Sequence, residues 1–190
     1  MNKPNDFENV QSFKGFEQLE LGGHICIIKK VEETTSKNGN QMIKIMLDTD
    51  RSDKQANYYT NKWNSDTRSD KKWGCTVYQL VYNKDGSTSR GFKTFIDMVE
   101  QSNPGFKVVW GDNFANCFTN KLVGGVFGRE EYYNSYGESK FAIKCTGFRT
   151  VQDVKEGKVE APKDKLLAPA TDYNSGFDDV APVDDGDMPF

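Results

Sequence analysis

Only one histidine, His24, stands in the 190-residue chain. Sites built from several imidazoles are thereby excluded, and a nucleophile triad would have a single candidate base with no motif around it. Cysteine is scarce and scattered. Cys26, Cys75, Cys117 and Cys145 never fall within four residues of one another, so there is no Cys-x-x-Cys zinc or redox pair. They read as reduced cysteines used as small hydrophobes. No apolar run approaches the ~18 residues a bilayer crossing requires. The opening MNKPNDFENVQSFKGF lacks the apolar stretch of a secretion signal. A cytoplasmic protein with no membrane partner is expected. Asp and Glu are plentiful, which keeps a carboxylate-metal nuclease in view. No compact acidic constellation stands out in the body, however, and Asp48, Asp50 and Asp53 read as a loop. The chain is expected to be no enzyme, with no catalytic residues, no metal and no cofactor.

What is present is aromatic. Hydrophobic residues make up only 36% of the chain, but Phe, Tyr and Trp reach 13%, so rings supply much of the burial and some exposed stacking surface. The net charge of −3 hides a division. Asp172, Asp178, Asp179, Asp184, Asp185 and Asp187 crowd the last twenty residues, where no Lys or Arg occurs. The first 170 residues keep 25 basic against 22 acidic side chains, a balance of +3. An acidic isoelectric point is therefore no argument against an anionic ligand of the body.

Two organisational units are expected: a folded domain over 1–160 and an acidic tail over 161–190, with order ending near Pro162. GGHICIIKKVEETTS is rich in β-branched residues, KNGN is an Asn-Gly turn, and QMIKIMLDTD alternates, Ile43, Ile45 and Leu47 on one face against Met42, Lys44 and Met46. These form a hairpin. WGCTVYQLVYN reads as a third strand with Trp73, Cys75, Val77 and Val81 on one side and Thr76, Tyr78, Leu80 and Tyr82 on the other. In SRGFKTFIDMVEQSNPGF the residues Phe92, Phe95, Ile96 and Val99 recur at helical spacing before the Asn103-Pro104-Gly105 stop. KLVGGVFGREEYY, NSYGES and KFAIKCTGF make a second hairpin, in which Phe141, Ile143 and Cys145 alternate with Lys140, Ala142 and Lys144. Strand, strand, strand, helix, strand, strand is the element order of a five-stranded OB-fold barrel, mainly β, with one helix between strands 3 and 4. Glycines 22, 23, 124, 125 and 128 suit strands that bend sharply to close it. Another small α+β sheet fold shares that order.

A groove for single-stranded nucleic acid interleaves cations with rings on which bases stack. Two stretches have that pattern. YYTNKWNSDTRSDKKW carries Tyr58, Tyr59, Lys62, Trp63, Arg68, Lys71 and Lys72, and the open face of the following strand adds Tyr78 and Tyr82. REEYYNSYGESK carries Arg129, Tyr132, Tyr133, Tyr136 and Lys140 at a hairpin that is a ligand-binding loop in OB-folds. Trp73, opening an apolar strand, is expected on the core side. Tyr58 and Tyr59, being consecutive, would face opposite ways on a strand.

The LVGGVFGREEYY…GESKFAIK hairpin, the helix ending MVEQSNPGF and the tail DDGDMPF together resemble the single-stranded DNA-binding proteins encoded by phages and prophages of Gram-positive bacteria. The tail is similar to the acidic tip, commonly ending Ile-Pro-Phe, of bacterial single-stranded DNA-binding proteins, with Met188 where Ile is usual. The likeness spans nearly the whole chain, the loop from Asp50 to Lys72 being longer than in a minimal OB-fold. It implies a protein that coats single-stranded DNA during replication or recombination. Its partners would be replication and recombination proteins docked through Asp184, Asp185, Asp187, Met188, Pro189 and Phe190. Phe190 would offer a ring and a carboxylate to one pocket, Pro189 would restrict the segment, and the aspartates would attract basic patches. An OB-fold adaptor that binds protein rather than DNA is the other reading, and the oligomeric state, monomer or homo-oligomer, is left open.

Overall fold

The computed structural model describes residues 3–9 and 17–167. Five strands and three helices follow in the order β1 (Gly22–Thr35), β2 (Gln41–Thr49), α1 (Tyr58–Ser65), β3 (Thr76–Leu80), α2 (Arg90–Ser102), β4 (Leu122–Tyr133), β5 (Ser139–Arg149) and α3 (Val151–Lys155). The expected strand and helix order is present, with α1 and α3 added. All strand pairs are antiparallel, in the order β3-β2-β1-β4-β5. β1 and β2 meet through the expected Asn-Gly turn, where Ser36 N donates to Asn40 O and Gly39 takes φ of 82°.

β1 organises the sheet. Its first half pairs with β4, from Gly22 opposite Phe127 to Ile27 opposite Leu122. Its second half pairs with β2, from Cys26 opposite Thr49 to Thr35 opposite Gln41, with an irregularity between Ile28 and Lys30. A strand that changes partners midway around a bulge curls the sheet about its apolar side. β4 bends where Gly124 and Gly125 lie against neighbours that leave no room for a side chain. A Cβ on Gly124 would lie 2.7 Å from Thr150 O, and one on Gly125 2.9 Å from Cys26 Sγ. β3 and β5 are the outer strands, and no hydrogen bond joins them among the described residues.

The enclosed face carries Ile28, Val31, Ile43, Ile45, Leu47, Val123 and Phe127, all buried. α2 packs against β3, β4 and β5, α1 against β2, and α3 against β1 and β4. α2 turns in Phe92, Phe95, Ile96 and Val99 as its periodicity requires, and Phe95 meets Phe118 and Phe148 at ring separations of 5.3 and 5.0 Å. Each such ring contributes about 1.5–3 kcal/mol of burial. Asn103 ends α2 by donating to Val99 O and Leu122 O and accepting from Leu122 N, which ties the helix to the start of β4.

α1 arises within the loop expected to be irregular. Asp48 and Thr49, at the end of β2, satisfy its first turn. Asp48 Oδ1 accepts from Tyr59 N at 2.9 Å and from Thr60 N at 3.4 Å, Thr49 Oγ1 accepts from Tyr58 N at 2.8 Å, and the Thr60 hydroxyl donates to Asp48 Oδ2. A buried carboxylate at a helix N-terminus meets both the unpaired N–H groups and the positive end of the dipole. The Asp53 carboxylate is likewise fully engaged. It accepts from Ile25 N at 2.7 Å and Gln55 N at 2.9 Å and faces His24 Nδ1 at 2.9 Å, while His24 Nε2 faces Glu20 O at 3.0 Å. Asp50 accepts from the amide and hydroxyl of Ser52. The three aspartates thus clamp backbone, and no three His, Cys, Asp or Glu side chains among the described residues group so as to hold a metal ion.

The packed chain does not stop at 160 or Pro162. After α3, capped by Thr150 Oγ1 accepting from Asp153 N, the segment 158–167 returns along β4. Pro162 sits on Gly128, where a Cβ would lie 2.5 Å from Pro162 Cγ. Lys165 N donates to Arg129 O and Glu131 N to Lys165 O, a short parallel bridge beyond Phe127, where the pairing of β4 with the start of β1 stops. The unpaired edge of β4 at Arg129–Glu131 is what recruits it. No helix of the described residues is long and apolar enough to cross a membrane.

Candidate nucleic-acid interface

Three groups of candidate residues emerge, on α1 with the loop after it, on β3, and on the β4–β5 hairpin. On α1 the consecutive tyrosines separate as a helix start demands. Tyr59 is 5% exposed and fills the interior between Phe127 and the Cys75 region. It is withdrawn from the candidate interface, because a ring spent on the core offers no face to a base. Tyr58 stands half-buried, its ring perpendicular to Tyr59 at 5.0 Å. Trp63 is half-buried beside Trp73, 5.9 Å away, with the Lys71 ammonium 4.7 Å from its ring centre. Lys71 also donates to Trp63 O and Asp66 O, which folds the loop back over α1. Trp73 packs against the core, as expected, and spends its indole N–H on Leu47 O at 2.7 Å. Lys62, Arg68 and Lys72 are exposed. Arg68 forks onto Asp66 at 2.8 to 3.2 Å, and that hydrogen bond holds the Asp66 carboxyl down at about 2.

Register places the β3 rings. Lys44 lies opposite Tyr78 and Glu32 opposite Lys44, so the three share the outer face of the sheet. Tyr78, exposed, stands on that face as the alternation requires, while Glu32 holds Lys30 and Lys44; Tyr82, also exposed, lies past the end of β3, bridged to Thr88.

The hairpin splits its tyrosines. Tyr132, opposite Lys140, is half-buried on one face; Tyr133, opposite Ser139, belongs to the other face with Arg129 and Phe141. Asn134 Oδ1 accepts from Tyr136 N and Glu138 N, fixing a turn with Gly137 at φ 75° from which Tyr136 projects at 82% exposure. Phe141 is exposed, with the Arg129 guanidinium 5.4 Å from its ring centre. Arg129 also forks onto Asp164 of the returning segment at 2.6 and 3.0 Å, and Lys140 pairs with Glu138 at 3.1 Å.

Among the described residues three exposed rings lie outside the expected set: Phe7, near the N-terminus, Phe141 and Trp110. Phe141 was legible as an alternating apolar residue but not as a surface one. The hairpin outruns the core, so the face that buries Phe127 inside opens to solvent further along. Trp110, on the connection between α2 and β4, is 64% exposed; its run FKVVW carries no ligand signal. The electrostatics also differ from a bare basic groove. Arg68, Arg129 and Lys140 each hold an acidic neighbour, so an incoming phosphate would exchange one anion for another. The tip residues Asp184 to Phe190 lie outside the described residues. No known protein family and no curated protein matches the chain.

Proposed function

We propose that this chain is a sequence-tolerant single-stranded DNA-binding protein of replication or recombination, built on an OB-type barrel. Hydrogen bonding between β3 and β5 would complete such a barrel from the strand order β3-β2-β1-β4-β5. The observation that carries the reading is the placement of exposed rings. Tyr78 lies on one edge strand with Tyr82 just past its end, and Tyr133, Tyr136 and Phe141 lie on the hairpin that ends in the other. Bases stack on these faces at about 1–3 kcal/mol each, without regard to sequence. Lys62, Lys71, Lys72 and the two arginines supply phosphate contacts, with release of bound ions and a log–log salt slope of about −0.7 per phosphate. The acidic tip, through Asp184 to Phe190, recruits partner enzymes to the coated strand.

The test is titration of intrinsic Trp and Tyr emission with oligo-dT at two salt concentrations, on the parent and on a Tyr133→Ala/Phe141→Ala double variant. Quenching that weakens with salt, and an affinity loss of about 10–100-fold in the variant with unchanged thermal unfolding, is the expected result. Emission untouched by oligo-dT in dilute buffer would end the reading.

A further inference from the structure

On the α2 side of the molecule an open groove of about 700 Å³ runs between α2, the β1–β2 hairpin and the connection that carries Trp110. Its floor is apolar, made by Ile43, Val81, Phe92, Ile96 and Phe114, each buried. One wall is Trp110, stacked on Phe114 with ring centres 5.3 Å apart and planes 18° from parallel, and edge-on to Phe92 at 6.3 Å. Only one indole face is covered by that stack. Of the candidate stacking residues the groove holds Tyr82 alone, at its edge, and an indole left 64% exposed beside an apolar floor is a surface that burial against a partner would stabilise.

The rim says which partner. Glu33, Asp97, Glu100 and Asp112 line it against the single cation Lys93. Lys93 is bonded to Asp97, and Glu100 holds Lys107 at 2.6 Å and accepts from Val108 N, which pins the Trp110 connection to α2. Glu33 and Asp112 are exposed and have no ion-pair partner among the described residues. Two unneutralised carboxylates flanking an open indole face repel phosphate and attract a cation. A guanidinium suits the place best, since it lies flat on an indole while its fork meets a carboxylate.

We infer that this groove is a docking site for a basic peptide segment of a partner protein, one arginine lying on Trp110 between Glu33 and Asp112 and a neighbouring apolar side chain entering the floor. Its charge preference is opposite to that of the proposed nucleic-acid interface, with which it shares Tyr82 alone.

The probe is the capped hexapeptide Gly-Arg-Leu-Arg-Leu-Gly, titrated into the ¹⁵N-labelled full chain while the three indole N–H signals are followed. The Trp110 signal is expected to shift and saturate, and a Glu-for-Arg peptide to leave it still. Glu33→Gln/Asp112→Asn, at exposed positions outside the core, should weaken the peptide about tenfold, and Trp110→Ala should do the same by loss of peptide-induced shifts at Phe92 and Phe114. Equal affinity of the carboxylate variant would overturn the site, because the peptide would then be held by other acids such as the aspartates of 172–187. So would shifts confined to Trp63 and Trp73. Oligo-dT alone moving the Trp110 signal would make the groove a nucleic-acid surface and overturn it equally.

Discussion

Removing the Asp48 carboxylate tests how α1 is held. Asp48 is 1% exposed and serves Thr49 N and Tyr59 N at 2.9 Å, Thr60 N at 3.4 Å and the Thr60 hydroxyl. In Asp48→Ala the Tyr59 amide, on a buried residue, loses its acceptor outright, at a cost of about 1–3 kcal/mol. Thr60 is half-buried and water can take over part of its need, leaving ~0.5–1 kcal/mol. Loss of a negative charge at the helix start adds ~0.5 kcal/mol, and release of a desolvated carboxylate returns a similar amount. The net expectation is about 2–3 kcal/mol by urea unfolding. Asp48→Asn keeps one acceptor oxygen in the same place and should cost only about 1 kcal/mol. Hydrogen exchange should accelerate at Tyr59 and Thr60 before the sheet amides, because the damage is local to α1. An alanine variant within about 0.5 kcal/mol of the parent, or an asparagine variant as costly as alanine, would refute the view that this carboxylate anchors the helix.

Other consequences are as direct. Burial by itself would raise the Asp53 carboxyl, but its bonds from His24, Gln55 N and Ile25 N outweigh that and hold it below 3.8. Its stabilisation is thus present above the unfolded-state value and lost as pH falls through the lower folded one; urea midpoints measured from about pH 6 to 3 should drop, and Asp53→Asn should lower the value at about pH 6 and flatten the slope. Gly124→Ala would set a methyl 2.7 Å from Thr150 O and 2.9 Å from Arg149 O, so a loss of about 2–3 kcal/mol in thermal or urea unfolding is expected. Gly128→Ala presses instead on Pro162, and should free the 158–167 segment to limited proteolysis while the sheet melts nearly as before. Burial pushes the Cys26 and Cys75 thiols far up and that of Cys145 up to about 12. Alkylation mapped by mass spectrometry should reach Cys26 and Cys75, both buried, only at the rate of unfolding, and the half-buried Cys145 sooner.

Strand and helix order was legible because each element advertises its period. Ile43, Ile45 and Leu47 alternate, and Phe92, Phe95, Ile96 and Val99 recur at helical spacing, so local pattern and burial agree. α1 was not legible. Its sequence YYTNKWNS has little apolar periodicity, and it forms because Asp48, on the strand that precedes it, supplies the acceptors for its first turn. The return of 158–167 was hidden for a related reason: a Lys-, Glu- and Pro-rich stretch has no core pattern, yet it pairs with an edge that β1 leaves open.

The sequence by itself determined that rings would be the material of both core and surface, that the body would be mildly basic, and that two hairpins would flank a helix. Those properties follow from composition and short-range spacing. Which ring is interior was decided by tertiary structure alone. Tyr59 is consumed by the core while Phe141 is released from it, because burial depends on where a strand outlasts the sheet beneath it and where a helix plugs its end. The same holds for charge at Arg129: Asp164, 35 residues away in the sequence, reaches it only once the chain has folded, whereas Asp66 and Glu138 stand two residues from the cations they hold.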